Sequence, residues 1–293
     1  MPSASLKIAA NSDISQVPVL SAILLIGIHG RGEKKDPGAP ANYHQSAEAP
    51  LAFSEERRPK TKLKGEIMSE TNSSLIEYLK TIDTPTLSNA IEQLRLRPRS
   101  EGFTPLQVRC LFPDFGPMCG YAVTAQVETM TESNPREERG YVELFEAVEK
   151  SPKPAVVALQ EVGGHPDYAT HCGEVMATFF TRLGGIGLVS DSGVRDVAEV
   201  RALGFHYFAR GAVASHANFR IVRVNVPIHV TGMVIRPQDI LHGDMNGLIL
   251  IPADATEGLP KAVESVRTRE RRLMDMAKDP NFTASQLRGR FMH

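Results

Sequence analysis

Charged residues that could do chemistry lie in one short segment, residues 185–199 (GIGLVSDSGVRDVAE). An apolar run ends in Asp-Ser-Gly at 191–193, and Arg195 and Asp196 then open a segment with helical spacing. A strand that ends in a glycine turn before a helix is the usual position of a site in an alternating α/β fold. Arg195 puts a fixed cation beside the carboxylate of Asp196, and such a pair can hold an anionic substrate and a divalent metal side by side.

A second helix start, at Gly173-Glu174, lies one predicted α/β unit upstream. Free backbone N–H groups at such a terminus can hold a carboxylate or a phosphate. Adjacent α/β units place their strand ends side by side, so we expect both helix starts to face one cleft. Asp191 and Glu199 add two acidic groups, and a Mg²⁺ site needs one or two carboxylates and several waters. The alternative is an ordinary glycine turn followed by acidic residues that favour the helix dipole, with a surface arginine.

Other chemistries lack their sequence patterns. The three cysteines show no CxxC pair and no zinc spacing, so we predict free thiols in a reducing compartment and no nucleophilic role for Cys172. The histidines show no HxH or HExxH spacing, so a zinc site is disfavoured and His171 and His216 are interpreted as ordinary polar residues. The glycines between 185 and 193 do not form GxGxxG, and no GxxxxGK[ST] loop occurs, which disfavours a dinucleotide fold and a P-loop.

Length and composition limit the class of protein. A chain of 293 residues with 42% apolar content can fill the core of one sizeable domain or two small ones. The 33 basic and 34 acidic residues give a net charge of −1, and there is no Trp, so nothing marks a nucleic-acid binder. The long apolar run at 17–29 is too short to span a bilayer and lacks the strongly basic start of a signal peptide. We therefore expect a cytoplasmic protein without nucleic-acid or membrane partners.

The first part of the chain differs from the rest. Residues 1–67 combine the apolar run with stretches rich in Pro, Gly and charge, and contain no periodic segment long enough to pack a domain. We predict that they form a disordered or non-core extension. Met68 begins a stretch typical of a cytosolic N-terminus, and residues 68–293 are predicted to form the folded domain with a C-terminal helix.

Predicted helices and strands alternate from residue 74 onward. Helices are predicted over 74–82, 84–94, 141–149, 173–183, 195–203 and 257–278, with Thr84-Pro85 as the cap and first-turn pair of the second helix. Strands are predicted over 120–128, 154–162, 185–190, 206–211, 219–226, 229–235 and 247–252. Residues 237–247 are predicted as a loop of tight turns capped by Asp and Asn. A β-α-β-α-β centre with a β-rich part and a closing helix predicts an α/β fold of the three-layer or swivelling type.

Five motifs follow one another in a recognisable order: TPTLSNA at 84–90, GE at 173–174, DSGVRD at 191–196, FARG at 208–211 and PQDILHGDMNG at 237–247. Their order and spacing resemble the class II pyruvate aldolases of the 4-hydroxy-4-methyl-2-oxoglutarate aldolase type and their relatives, the regulators of ribonuclease activity A. The resemblance covers residues 72–275. It departs from the family at DSG, which replaces the commoner Asp-Gly turn, and in the loop at 163–171, which has no close match.

The resemblance implies a fold, an assembly and roles for single residues. It implies an α/β/β swivelling-type fold assembled as homotrimers or paired trimers, with sites between subunits. Asp196 would be the direct carboxylate ligand of Mg²⁺ or Mn²⁺, and Glu174 would bind the metal through water. Arg195 would bind the pyruvyl oxygens and stabilise the enolate.

Substrate-binding groups follow from the same resemblance. Gly173 would belong to the substrate site, where the backbone N–H groups of Val175 and Met176 would hold the substrate carboxylate. Aldolases of this family also use an acidic group from the C-terminal helix of a neighbouring subunit, for which Glu270 is the candidate and Glu264 the alternative. The ribonuclease regulators lack this group.

The function implied is that of a divalent-metal-dependent carbon–carbon lyase. It would cleave 4-hydroxy-2-oxo acids to pyruvate through a metal-stabilised enolate, and the same enolate chemistry would decarboxylate oxaloacetate. One alternative is another metal-dependent enzyme at the same site, such as a decarboxylase, hydratase or dehydratase of oxo or sugar acids. The other is a non-catalytic regulator that binds RNA-processing proteins, which predicts no metal-dependent turnover and a measurable protein complex.

Overall fold

The computed structural model describes residues 74–130, 138–168 and 170–290. The extension predicted over residues 1–67 lies outside these residues, so it stays a prediction. The described helices are α1 (74–80), α2 (Thr84–Leu94), α3 (Glu138–Lys150), α4 (Glu174–Arg182), α5 (Val197–Ala202) and α6 (Leu259–Ala277). The described strands are β1 (Arg109–Cys110), β2 (Met118–Met130), β3 (Ala155–Glu161), β4 (Gly185–Ser190), β5 (Gly193–Val194), β6 (His206–Ala209), β7 (Gly211–Ala212), β8 (Asn218–Val224), β9 (Ile228–Val230), β10 (Met233–Ile235), β11 (Ile240–Asp244) and β12 (Gly247–Ile251).

A mixed sheet forms the centre of the described part of the chain. Its strands follow the order β1-β6-β4-β3-β2-β11-β12, and β8 pairs with the second half of β2. The four central strands β2, β3, β4 and β6 are parallel, because helices α3, α4 and α5 cross over between them. A parallel strand is covered on both faces, which explains why β3 is a nearly continuous apolar run whose residues 155–159 are all buried.

Alternate residues of β3 contribute to different cores. Val157 and Leu159 belong to the core beneath α3, α4 and α5, which also buries Phe180 and Tyr207. Val156 belongs to a second core, which includes the apolar residues of β9 and β10. A third cluster joins α1, α2 and α6 to β12 and the start of β2. The sheet is therefore covered by helices on one side of β3 and by a β-hairpin on the other, which confirms the predicted α/β class.

The structure differs from the sequence prediction at several places, including a strand, a helix cap and a loop. The strand predicted over 229–235 is a hairpin, since Thr231 and Gly232 have φ of 48° and 92° and reverse the chain between β9 and β10. Asp83, and not Thr84, is the N-cap of α2, because its carboxylate accepts from the N–H of Thr86 at 2.8 Å. Half of the predicted loop at 237–247 is strand β11. The predicted Asp caps are present around it, since Asp239 accepts from the N–H of Arg236 and Asp244 from the N–H of Asn246, whereas the Asn246 side chain donates to Asp244.

Candidate active site

A short parallel ladder brings the predicted Gly173-Glu174 and Arg195-Asp196 motifs together. β5 pairs with β7, and Thr170 forms a bridge to Gly193. The N–H of His171 donates to the carbonyl of Gly193 at 3.0 Å, and the N–H of Arg195 donates to the carbonyl of Cys172 at 3.0 Å. Because these bonds hold 170–172 beside 193–195, α4 and α5 begin next to each other.

The Asp196 carboxylate connects the two helix starts. Its Oδ2 accepts a hydrogen bond from the N–H of Glu174, the first residue of α4, at 2.9 Å. The Nε atom of Arg195 lies 3.3 Å from Oδ1, and the two side chains are 38% and 31% exposed. Asp196 has a φ of 54° and a ψ of 44°, a left-handed conformation that costs a non-glycine residue on the order of 1 kcal/mol. Strain of this kind persists where the surrounding structure holds it, and it is frequent at functional sites.

Gly173 is required by the closeness of these groups. A Cβ atom at this position would lie 2.5 Å from Oδ2 of Asp196 and 3.2 Å from Cγ of Arg195. A side chain here would therefore displace the carboxylate. The absence of a side chain at Gly173 allows the start of α4 to lie next to Asp196.

A cavity of about 450 Å³ opens at this point, within the usual range for a small-molecule site. Arg195 and Asp196 contribute its charged wall. Its other described wall residues are Tyr141, Phe145, Thr170, His171, Cys172, Gly173, Val175, Met176, Phe179, His216 and Phe219. The cavity is thus mainly apolar and carries a cation and a carboxylate side by side.

A buried polar network supports the wall from behind. The Nε2 atom of His171 lies 2.9 Å from Oε2 of Glu161, and its Nδ1 atom lies 3.0 Å from Oγ of Ser190. Glu161 also accepts from the hydroxyl of Thr129 at 2.6 Å. Although burial opposes ionisation, the bonds from His171 and Thr129 lower the pKa of Glu161 to about 2. The network therefore holds His171, two residues before Gly173, in one orientation.

Asp191 belongs to this buried region and not to the cavity wall. Its Oδ1 accepts from the N–H of Glu161 at 2.7 Å, and burial raises its pKa to about 6. Glu199 is exposed on α5 and does not line the cavity. The Asp191 carboxylate is therefore engaged at a strand end and does not join the cavity wall, whereas a role for Glu199 beside Asp196 stays a prediction.

The remaining predicted residues fall into two groups. Glu174, Val175 and Met176 form the first turn of α4, whose N–H groups lack partners inside the helix, and the last two line the cavity. Glu270 accepts from Nδ2 of Asn89 at 3.1 Å, and Glu264 accepts from the hydroxyl of Thr268, so neither belongs to the cavity of its own chain.

Several wall residues were not expected from the sequence. Tyr141 and Phe145 come from α3, and Phe219 comes from β8, so local spacing gave no signal that they meet α4. The sequence predicts His171 as an ordinary polar residue, whereas its contacts with Glu161 and Ser190 place it in the buried network behind the cavity wall. The Cys172 thiol is buried, and this burial raises its pKa to about 12, which disfavours the thiolate form.

The chain belongs to the Aldolase/RraA family. The profile of this family, described as RraA-like, matches residues 84–250, which is more than half of the chain. This match contains all five motifs of the predicted resemblance.

Individual relatives are distant. The chain is 35% identical over 98 residues to a Halalkalibacterium halodurans protein named "Putative 4-hydroxy-4-methyl-2-oxoglutarate aldolase", covering 32% of this chain and 47% of that protein. It is 25% identical over 218 residues to Protein DlpA of Legionella pneumophila, covering 71% of this chain and 32% of that protein. The chain thus spans less than half the length of these two curated relatives.

A solved structure shares the fold. RraAS2 of Streptomyces coelicolor, described as an unusual member of the RNase ES inhibitor RraA protein family, superposes with a TM-score of 0.54 at 21% identity. The match covers 75% of this chain and 100% of that one. Among the described helices, none is both long and apolar enough to cross a membrane.

Proposed function

We propose that this protein is a divalent-metal-dependent lyase that cleaves 4-hydroxy-2-oxo acids of the 4-hydroxy-4-methyl-2-oxoglutarate type to pyruvate. Decarboxylation of oxaloacetate is the expected side activity. The observation that carries the proposal is the Asp196 carboxylate, which lies between the N–H of Glu174 and the guanidinium of Arg195 at the wall of an apolar cavity. Membership of a family that includes aldolases supports it.

The residues fit a hard divalent cation. Mg²⁺ and Mn²⁺ take oxygen ligands, and Mg²⁺ is commonly held by one or two carboxylates with several waters. Asp196 would be the direct ligand, and Glu174, exposed at the start of α4, would bind the metal through water. No group of three or more His, Cys, Asp or Glu side chains suited to a metal occurs in the described ranges, which disfavours a closed zinc site there. The bound cation would withdraw electron density from the substrate keto oxygen.

The reaction places charge next to residues of this chain. The N–H groups of Val175 and Met176 bind the substrate carboxylate at the helix start, and the planar guanidinium of Arg195 binds the keto oxygen. When the C3–C4 bond breaks, its electron pair moves toward that oxygen, so negative charge grows beside Arg195. The Glu174 carboxylate would act as the general base, taking the proton of the C4 hydroxyl through a water that it holds.

The assembly is part of the proposal. We infer a homotrimer or hexamer with sites between subunits, in which Glu270 of a neighbouring chain would complete the site. Pyruvate release by wild-type protein and by Glu270→Gln, at matched oligomeric state, tests that role.

The test of the function is pyruvate release coupled to lactate dehydrogenase. The substrates are 4-hydroxy-4-methyl-2-oxoglutarate and oxaloacetate, first with Mg²⁺ and then with EDTA. Metal-dependent release from both, lost in Asp196→Ala and kept in Asp254→Ala on an exposed turn, is the expected result. Release from oxaloacetate alone would favour the other metal-dependent enzymes. No release from either would favour the regulator, and a pull-down of RNA-processing proteins would then be expected to succeed.

A further inference from the structure

The apolar wall of the cavity is the feature that the proposed chemistry leaves unused. Pyruvate formation needs a cation, a carboxylate and backbone donors, yet much of the described wall consists of rings and aliphatic side chains: Tyr141, Phe145, Val175, Met176, Phe179 and Phe219. Val175 and Phe179 are 68% and 52% exposed, although apolar groups on a monomer surface are rarely grouped without a ligand or partner.

The rings are held in fixed positions by one another. Phe145 and Phe179 pack with centroids 5.3 Å apart and planes inclined by 61°, and Tyr141 and Phe219 lie 5.6 Å apart at 56°. The Tyr141 hydroxyl donates to the carbonyl of Phe219 at 3.2 Å. Edge-to-face packing is one of the preferred geometries of aromatic pairs, and the Phe145–Phe179 pair has it. The wall is therefore preformed and suited to a further ring.

The charges of the wall match a ligand with one carboxylate. Arg195 is the sole Lys or Arg among the described residues that line the cavity. His171 is engaged by Glu161 and Ser190, and Nδ1 of His216 lies 2.5 Å from the carbonyl of Ala217. A second carboxylate on the substrate would find no described cation in this wall, whereas an uncharged group would bury apolar surface.

Building on the proposed function, we propose that the preferred substrates are 4-hydroxy-2-oxo acids whose C4 carries an uncharged aromatic or bulky apolar group. Their oxo-acid end lies at Arg195 and Asp196, and the C4 group packs against Phe145, Phe179 and Phe219. Cleavage breaks the C3–C4 bond and leaves its electron pair in the pyruvate enolate. The C4 hydroxyl loses its proton, so that C4 and its oxygen become the carbonyl of an aldehyde that carries the C4 group, and a proton added at C3 gives pyruvate. No other reactant is needed.

Binding of two non-cleavable acids tests the inference directly. Calorimetric titration of the full chain with Mg²⁺ would compare 2-oxo-4-phenylbutanoate with 2-oxoglutarate, which carries a carboxylate in place of the phenyl group. We expect the phenyl compound to bind at least tenfold more tightly. Phe179→Ala should remove most of this preference, and Thr178→Ala, an exposed neighbour on α4, should keep it. Equal binding, or tighter binding of 2-oxoglutarate, would overturn the inference.

Turnover separates this inference from the proposed function. Exchange of the methyl protons of pyruvate with D₂O, followed by NMR, reports the enolate site without any C4 group. We expect exchange in both wild-type protein and Phe179→Ala, with cleavage of 4-hydroxy-2-oxo-4-phenylbutanoate at least tenfold slower in the variant. Exchange with no preference for the phenyl substrate over 4-hydroxy-4-methyl-2-oxoglutarate would overturn the inference alone. No exchange in wild-type protein would overturn both.

A second copy of the chain could cover the same wall instead. Sedimentation of wild-type protein and of Phe179→Ala tests whether a second copy of the chain, and not the substrate, covers this wall. If the variant dissociates and loses activity equally on both substrates, the wall is a subunit interface and the inference is wrong.

Discussion

Asp196 occupies the N-cap position of α5, yet its carboxylate accepts from the N–H of Glu174 and so caps α4 instead. Its left-handed backbone turns the side chain away from its own helix, to which it makes no capping bond. One carboxylate therefore fixes the relative position of two helix starts. It also stays about one-third exposed beside Arg195, where the proposed metal and substrate would bind.

Gly173→Ala is expected to disturb this arrangement. The backbone of Gly173 has a φ of −132°, which alanine adopts freely, so the effect would come from the added Cβ and not from strain. That atom would displace the Asp196 carboxylate. We expect pyruvate proton exchange to fall by about tenfold or more, as for other misplaced catalytic groups. The free energy of unfolding should fall by about 1 kcal/mol, as for a modest capping loss.

Exchange rates and urea unfolding of wild-type protein, Gly173→Ala and Thr178→Ala provide the check. Thr178 is exposed on the same helix and outside the cavity wall, so its variant should match wild type in both measurements. Full activity in Gly173→Ala would show that the position of Asp196 is not critical.

The central part of the site could be predicted from the sequence because it depends on strand ends. Gly173-Glu174 and Arg195-Asp196 each follow a strand of the parallel sheet, and neighbouring parallel strands end at the same edge. Local spacing could not predict the left-handed backbone of Asp196, because it is held by contacts to another helix. It could not predict Tyr141 or Phe219 either, since these arrive from separate elements and are apolar residues of ordinary helix and strand patterns.

The contact made by Asp191 is another feature that local spacing could not predict. Its position between an apolar strand and a glycine turn is the position of many site residues, and the sequence contains no sign that its carboxylate turns inward to the N–H of Glu161. His171 and Glu161 are ten residues apart on different segments, so their pairing depends on the fold. Pairings across strand ends are tertiary contacts that residue type and spacing do not encode.

Asp191→Asn is expected to stabilise the protein at neutral pH. Burial raises the pKa of Asp191 from an ordinary 3.8 to about 6, so its ionised form is disfavoured in the folded state. The resulting cost is absent below about pH 4 and fully present above about pH 6. Asparagine keeps an oxygen that can accept from the N–H of Glu161. We expect a gain on the order of 1–3 kcal/mol at pH 8 and little change at pH 4.

Urea unfolding of Asp191→Asn at pH 4 and at pH 8 measures this difference. Asp254→Asn, at an exposed position, is the matched control and should change stability at neither pH. A gain of equal size at both values would mean that ionisation of Asp191 is not the cause.

Glu161→Gln is expected to have the opposite dependence on pH. The pKa of Glu161 is lowered from 4.5 to about 2 despite burial, because His171 and Thr129 bind the ionised form. Its contribution is therefore fully present above pH 4.5 and is lost as the pH falls toward 2. At pH 7 the variant should lose on the order of 2–3 kcal/mol of unfolding free energy, and the loss should shrink below pH 4.5.

A double-mutant cycle with His171→Asn tests whether the pair acts as a unit. We expect a coupling energy of about 1–3 kcal/mol between the two positions in urea unfolding at pH 7. Additive effects would mean that the contact between His171 and Glu161, 2.9 Å apart, contributes little.

Asp244→Ala is expected to lower stability without changing the chemistry. Oδ2 of Asp244 accepts from the N–H of Thr84 at the start of α2, and Oδ1 accepts from the N–H of Asn246 in the β11–β12 turn. Asp244 is buried and lies outside the cavity wall. Removing it leaves the N–H of Thr84 without this partner, which costs about 1–3 kcal/mol for a buried donor.

Asp279→Ala is the matched control for this substitution. Asp279 accepts from the N–H of Asn281 at 2.9 Å in the same type of turn, but it is exposed, so water can replace the carboxylate. We expect thermal unfolding to shift clearly in Asp244→Ala and hardly in Asp279→Ala, with pyruvate proton exchange at 25 °C within about threefold of wild type in both. A large loss of exchange in correctly folded Asp244→Ala would mean that the GDMNG motif acts in the site as well as in the packing of α2.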